Sequence, residues 1–419
     1  MEGSTRQKNP NPSPKTVGGQ SILNRRLYDS WIDGFMEYTK DLPSPEIFRK
    51  WSAIAAVAGA LERKVWIYVP AFKANLYPNM YTVLVGPPAT GKTIVTSITQ
   101  DLWGKLGDHH VAPNAVSRAS LMDALRDAER ALIIPTATPP QVKFNSLLIV
   151  ANELGVFVPA YDPDFMNTLT DIYDGKRYGE KKRGNDLSYV IQHPQLNLIA
   201  ATTPSYLNGV MPEGAWDQGF ISRVMLIYSG EQSTRDIFVG TPDQANEFGE
   251  LLSDLKLIGK MYGKFVFAED CAKAISAWAK LRGPPVPEHP KLQHYNGRRI
   301  THLLKLCMVA AASNSNDFVI TLEHYQTALD WLLEAETYMP DIFKSMAQGG
   351  DAKAIEDTWY YAYEYYMRKK AHIPEARLYE FLQNRVPSHS VERILQVMCK
   401  AGLLEKMIDG YRPRAKKDV

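Results

Sequence analysis

The chain has 419 residues, 45% of them hydrophobic and 22% charged, with a formal net charge of +2. That length can bury one large core and a smaller one, and so balanced a charge excludes a global attraction to nucleic acid, leaving only local patches to supply one. Three cysteines, Cys271, Cys307 and Cys399, lie far apart without C-x-x-C spacing, which argues against a disulfide or zinc framework and for a reducing compartment.

Residues 1–20 are rich in Pro, Ser, Asn, Lys and Gly and read as a disordered tail. Between 21 and 77 an apolar-periodic region, broken at Pro43 and Pro45, reads as mainly helical, with a β-rich stretch at 64–69. Its longest small apolar run, 53–61, is far short of the roughly 18 residues a membrane span needs. No leader pattern precedes it, so a soluble, cytoplasmic chain without a membrane partner is expected. From 78 to 230 strands and helices alternate, with strands expected at 81–85, 147–151, 196–201 and 224–228. Alternation of that kind predicts an α/β fold with a parallel sheet and flanking helices. Residues 231–347 show helical periodicity at 243–257, 269–281, 298–312 and 322–339, and a Gly-Gly break precedes a last unit at 351–419.

The most specific motif is Gly86-Pro87-Pro88-Ala89-Thr90-Gly91-Lys92-Thr93, a full G-x-x-x-x-G-K-[ST] loop between an apolar strand and a helix-like segment. In that context the backbone amides and the helix N-terminus cradle phosphates. Lys92 is then expected to reach the β- and γ-phosphates of ATP, with the Thr93 hydroxyl on Mg2+. The bland alternative is a glycine-rich turn before an ordinary helix. Further on, the apolar strand 147–151 ends in Asn152-Glu153. Glu153 is placed to polarise an attacking water, while Asn152 offers Mg2+ a neutral carbonyl oxygen and no charge.

A second apolar strand ends in Thr202-Thr203-Pro204, and Gly219-Phe220-Ile221-Ser222-Arg223 precedes the last strand. Phosphate loop, strand plus Glu, strand plus polar tip, then Ser-Arg before a strand: this order resembles the AAA+ ATPase core. On that resemblance Thr203 matches the sensor-1 position, and Arg223 the arginine finger that reaches a neighbouring subunit; a surface arginine in an ion pair is the alternative for Arg223. Gly297-Arg298-Arg299 resembles the start of a sensor-2 lid, with either arginine as the nucleotide contact. The stretch from Pro78 to Pro88 looks like the ATPase part of phage- and plasmid-encoded replicative helicases and primase–helicases, and more distantly like MCM helicases. The likeness covers about 42–341. It departs at Ala89, where such loops often carry Gly, and leaves no room for an N-terminal primase.

Five basic residues, Lys176, Arg177, Lys181, Lys182 and Arg183, fall within eight positions between Glu153 and the Thr203 strand. In MCM-like helicases an insertion here forms a pore hairpin, so the resemblance implies a grip on single-stranded DNA by these side chains. A solvated charged turn is the alternative. In the last unit, helices at 374–382 and 391–401 and a hairpin at 403–414 resemble a winged helix, either binding duplex DNA or docking a protein. Val391, Ile394, Leu395 and Met398 are its candidate core. Trp359, Tyr363 and Tyr366 share a helical face and read as core, and His109-His110 as surface loop. Together these features imply an ATP-dependent, ring-forming DNA helicase, a hexamer acting on forked duplex in phage or mobile-element replication. An AAA+ initiator, loader or switch that does not unwind is the alternative, and a small-molecule kinase would leave Arg223, the basic insertion and the last unit unexplained.

Overall fold

The computed structural model describes residues 25–113, 117–135, 137–158, 162–181, 188–211, 216, 219–232, 244–347, 353–383 and 388–414. The expected N-terminal tail lies outside them. The first helix, α1 (Trp31–Tyr38), begins at Ser30, whose hydroxyl accepts the Asp33 amide and caps the first turn. After the two prolines comes α2 (Glu46–Leu61), buried on nearly every side. A helix apolar all round belongs in a core, and among the described residues no helix is long and apolar enough to cross a membrane. It packs on α3 (Lys92–Gly104) so closely that a Cβ on Gly59 would meet the Trp103 ring at 2.5 Å. A short antiparallel ribbon, β1 (Val65–Val69) and β2 (Ala74–Leu76), follows α2.

The central strands are β3 (Tyr81–Val85), β4 (His110–Val111), β5 (Glu129–Ile133) and β6 (Gln141–Ala151). After the hairpin strands β7 (Tyr178–Lys181) and β8 (Ser188–Ile191) come β9 (Pro194–Thr202) and β10 (Val224–Tyr228). Five of them form a parallel sheet in the order β10-β3-β9-β6-β4, with β5 antiparallel to the first half of β6. Strands β3 and β9 are buried along their whole length, which is why their sequences run apolar without alternation. The connections carry α4 (Arg118–Asp127), α5 (Leu154–Phe157), α6 (Pro163–Tyr173) and α7 (Pro204–Val210). All four expected strands are present, but β6 begins at Gln141, because residues 141–144 pair with β5 before the parallel pairing with β9 starts at Asn145. His109 is not on an open loop: its ring is enclosed, 2.9 Å from the Ala60 carbonyl oxygen and 3.5 Å from the buried Glu62 carboxylate.

The helical region holds α8 (Gln244–Ile258), α9 (Glu269–Lys280), α10 (Gln293–Asn296), α11 (Arg299–Asn314) and α12 (Leu322–Ala347). The last runs past the expected 339, with Pro340 inside it. One hydrophobic core extends from Trp31 to Met346, so the described residues of 25–77 and 244–347 share a core with the sheet rather than forming layers of their own. A second core, from Ala354 to Tyr411, joins α13 (Lys353–Lys369), α14 (Glu375–Gln383), α15 (Ser388–Lys400) and the hairpin β11 (Leu404–Met407) and β12 (Gly410–Pro413). Ile373 bridges to Tyr411, and Val391, Ile394, Leu395 and Met398 are buried as expected. The aromatic face of α13 is not. Only Trp359 is buried, while Tyr363 is exposed and stacks on Trp359 at 5.1 Å. The buried face of this helix is instead Ala354, Thr358, Trp359 and Ala362.

Candidate nucleotide site and the hairpin at the far end of the sheet

Strand β3 delivers the glycine-rich loop at its C-terminal end, where the Gly86 amide donates to the Thr202 carbonyl at 3.2 Å. Gly91 sits at φ +72, and a Cβ there would lie 2.0 Å from the Pro43 carbonyl oxygen, so no other residue fits. Ala89, the departure from glycine noted above, also has positive φ, at 62. That backbone carries the left-handed penalty a glycine would avoid. Lys92 Nζ donates to the carbonyls of Gly86 (2.8 Å) and Pro87 (2.6 Å) and to Thr90 Oγ1 (3.0 Å), and burial pulls its pKa down. Thr90 is buried, with its hydroxyl on the Pro87 carbonyl at 2.9 Å, while Pro88, Ala89 and Thr93 are exposed. No side chain caps the N-terminus of α3, so its first amides face the loop with the positive end of the dipole. A desolvated cation with oxygen partners beside such a helix end fits a polyphosphate, whose oxygens would replace those carbonyls.

Asn152 and Glu153 stand at the end of β6, one strand removed from β3. The Asn152 Oδ1 accepts from the Thr96 hydroxyl at 2.7 Å, so a residue of α3, one turn beyond Thr93, orients it. Sequence reasoning missed Thr96, although its i+3 spacing from Thr93 puts both hydroxyls on one helix face. Among the described residues no group of three or more His, Cys, Asp or Glu gathers as a metal site. Mg2+ asks for little more than one or two protein oxygens besides phosphate, and Thr93 with Asn152 fits that demand. Glu153 is exposed, at the N-terminus of α5 and without a capping bond, and its charge helps raise the Tyr206 pKa, behind burial. The Thr203 hydroxyl caps α7 by accepting the Tyr206 amide at 3.3 Å. The buried Thr202 hydroxyl beside it has no partner among the described residues.

The arginines lie elsewhere. In the register of β10 on β3, Val224 pairs with Tyr81 and Tyr228 with Val85. Arg223 therefore sits at the start of the sheet and Gly86 at its end, about 20 Å apart at the usual rise per residue. Arg223 is 7% exposed, with Nη2 2.7 Å from Asp174 Oδ2 and Nη1 2.8 Å from the Gly219 carbonyl oxygen. Arg298 reaches the other oxygen of Asp174 at 3.1 Å, so both arginines share one carboxylate at the end of α6, far from their own chain's loop. Nearby, Lys305 is fully buried against Asn79 (2.7 Å to its carbonyl oxygen) and over the Tyr173 ring at 3.8 Å. Burial holds its pKa well below the usual lysine range, and of the charges acting on it only Asp174 opposes that. Arg299 is excluded as a nucleotide contact. It is 2% exposed, paired to Glu336 at 2.6 Å and bonded to the Gly283 and Pro285 carbonyls, because the start of α11 turns it inward. Asp174 went unnoticed in the sequence, although an Asp-Gly turn before a basic run is a readable signal.

The basic segment does form a hairpin: β7 and β8 pair antiparallel, from Tyr178 with Ile191 to Lys181 with Ser188. Lys176 and Arg177 are exposed at its root, and Lys181 lies on β7. Lys182 and Arg183 fall outside the described residues. Tyr178 packs inward, with Arg118 Nη2 3.5 Å from its hydroxyl. No protein-family model and no curated protein matches this sequence.

Proposed function

We propose that the chain is a magnesium-dependent ATPase of the AAA+ kind, working as a hexameric ring that translocates along single-stranded DNA and unwinds forked duplex during phage or mobile-element replication in a bacterial cytoplasm. The observation that carries this reading is the sheet order, with one strand between the phosphate-loop strand and the strand ending in Asn152-Glu153. That order supports a base across from the loop, and with Arg223 and Arg298 at the opposite end of the sheet the reading has them act on another subunit's phosphates. In this role Lys92 neutralises phosphate charge, Thr93 and Asn152 hold Mg2+, Glu153 takes the proton of the attacking water and Thr203 lies beside it. Arg223 and Arg298 stabilise the transition-state charge of the neighbour's nucleotide. The β7–β8 hairpin supplies the DNA contact, and the C-terminal unit, three helices with a β-hairpin, is read as a winged helix.

A second reading, an AAA+ switch that binds DNA without unwinding it, is favoured by one feature: both arginines are already held by Asp174 within the chain. ATP turnover and strand displacement on a forked duplex separate the two. Turnover with displacement, both lost in Lys92→Ala, supports the helicase; turnover without displacement supports the switch; and wild-type protein that does not hydrolyse ATP at all would sink both.

A further inference from the structure

A cleft of about 810 Å3 opens at the end of the sheet remote from the phosphate loop, within the size range of ligand sites. The β7–β8 hairpin and its exit through Gln192 form one wall, the β5–β6 hairpin a second, and the β1–β2 ribbon, with Arg63 and Trp66 near its start, a third. Residue 193 precedes β9, and Thr202 at the other end of that strand touches Gly86, so cleft and loop are about 30 Å apart. This cleft is therefore no part of the nucleotide site.

Its chemistry is specific. The Arg63 guanidinium lies over the Tyr77 ring at 3.9 Å, and its Nη1 donates to the carbonyls of Gly175 (2.9 Å) and Pro194 (3.2 Å). Burial lowers its pKa, and the groups that act on it include no carboxylate. The other permanent cations of the lining are matched: Lys143 by Glu129 at 3.0 Å, and Arg126 by Asp127 at 3.1 Å and Asp123 at 3.3 Å. A desolvated guanidinium without a counter-ion favours an anion, and its planar fork suits phosphate. Beside it, Trp66 and Tyr262 meet edge to face at 5.6 Å, both half-buried, so part of each ring stays open to the cleft. Aromatic faces next to an anion site are the combination that holds a single strand, with bases on rings and phosphate on arginine.

We infer that this cleft is a second contact for single-stranded nucleic acid, in which Arg63 takes a backbone phosphate and Trp66 and Tyr262 receive bases. The strand would thus run from the β7–β8 hairpin down to its root. The identity of the ligand rests on the nucleic-acid reading of the hairpin; the anion site does not.

The test is binding of a fluorescein-labelled oligothymidylate of about fifteen nucleotides to the full chain, titrated across salt concentrations. Arg63→Gln should raise Kd about tenfold and reduce the salt slope by about 0.7, the share of one phosphate on a single strand. Trp66→Ala should raise Kd roughly five- to hundredfold while leaving the slope unchanged, since stacking releases no counterions. Because Arg63 also holds two backbone carbonyls, Gln192→Glu at the exposed mouth is the control for misfolding; it adds a negative charge without removing any contact and should weaken binding several-fold, more so at low salt. Wild-type affinity and slope in Trp66→Ala and Gln192→Glu would overturn the cleft assignment while leaving the proposed function standing. No binding by the wild-type chain would overturn both, and would turn the cleft into a site for another kind of partner.

Discussion

Replacing Asp174 with Asn removes the one charge that Arg223 and Arg298 share. Breaking a buried ion pair from one side costs about 3–5 kcal/mol, because the remaining charge is left uncompensated. Here the carboxylate side chain is 31% exposed and Arg223 only 9%, and Asn keeps one acceptor oxygen. Solvent screening and that oxygen reduce the expected loss to about 1–3 kcal/mol, or a fall in Tm of roughly 2–5 °C for a unit of this size. The pH dependence supplies an internal check. Burial by itself would push the Asp174 carboxyl up, but bonds and charges from Arg223 and Arg298 outweigh it and hold the pKa below its ordinary 3.8. A depressed carboxylate contributes its stability above the unfolded pKa and loses it as the pH falls through the folded one. The gap between wild type and Asp174→Asn, followed by circular dichroism on heating, should be full at pH 7 and narrow on acidification as far as the fold persists. Equal melting at pH 7, or a gap that widens in acid, would refute the shared-carboxylate account.

Ala89→Gly should stabilise the chain by about 0.5–1 kcal/mol, the left-handed penalty less the entropy of a glycine, read as a rise in the denaturant midpoint; a lower midpoint would mean the loop carries no such strain. Arg299→Ala should cost about 3–5 kcal/mol by stranding the buried Glu336, whereas Arg298→Ala, a half-exposed pair, should cost under about 1 kcal/mol; comparable losses in thermal unfolding would contradict the separation of their roles. Arg223→Ala should reduce ATP turnover on the order of 10³-fold, and mixing it with Lys92→Ala should restore part of it, provided the two assemble together. Mixed assemblies with no recovery would argue against an arginine acting across subunits.

How legible this molecule was depended on distance along the chain. Strands β3 and β10 were readable to the residue, because a strand buried on both faces is an unbroken apolar run between turn residues. The phosphate loop was equally plain, since its spacing encodes one local backbone path. By contrast, β5 and the first half of β6 went unseen: Glu129, Lys143 and Gln141 are polar, and what makes them strands is a partner across a turn rather than their own pattern. The same limit hid Asp174, Thr96 and Arg63, whose meaning comes from partners 49, 56 and 112 or more positions away. Arg298 and Arg299 are adjacent and chemically alike, so only the direction in which α11 starts tells them apart. The tyrosines of α13 failed for a different reason. A helical wheel says which residues share a face but not how wide the covered part of it is, and Tyr363 falls just outside.

The register that places Arg223 at the opening of the sheet and Gly86 at its close has a kinetic consequence. One molecule owns both halves of the proposed reaction centre yet holds them at a fixed separation that no side-chain movement closes. Turnover then belongs to the encounter rather than to the polypeptide: specific activity should depend on protein concentration, rising towards the first power of it on dilution and levelling off once every loop faces a neighbour. Because the two surfaces that meet are different, each association leaves one of each kind exposed at the ends. Only closure on itself removes them, so a chain of finite length always carries one idle loop and a ring carries none.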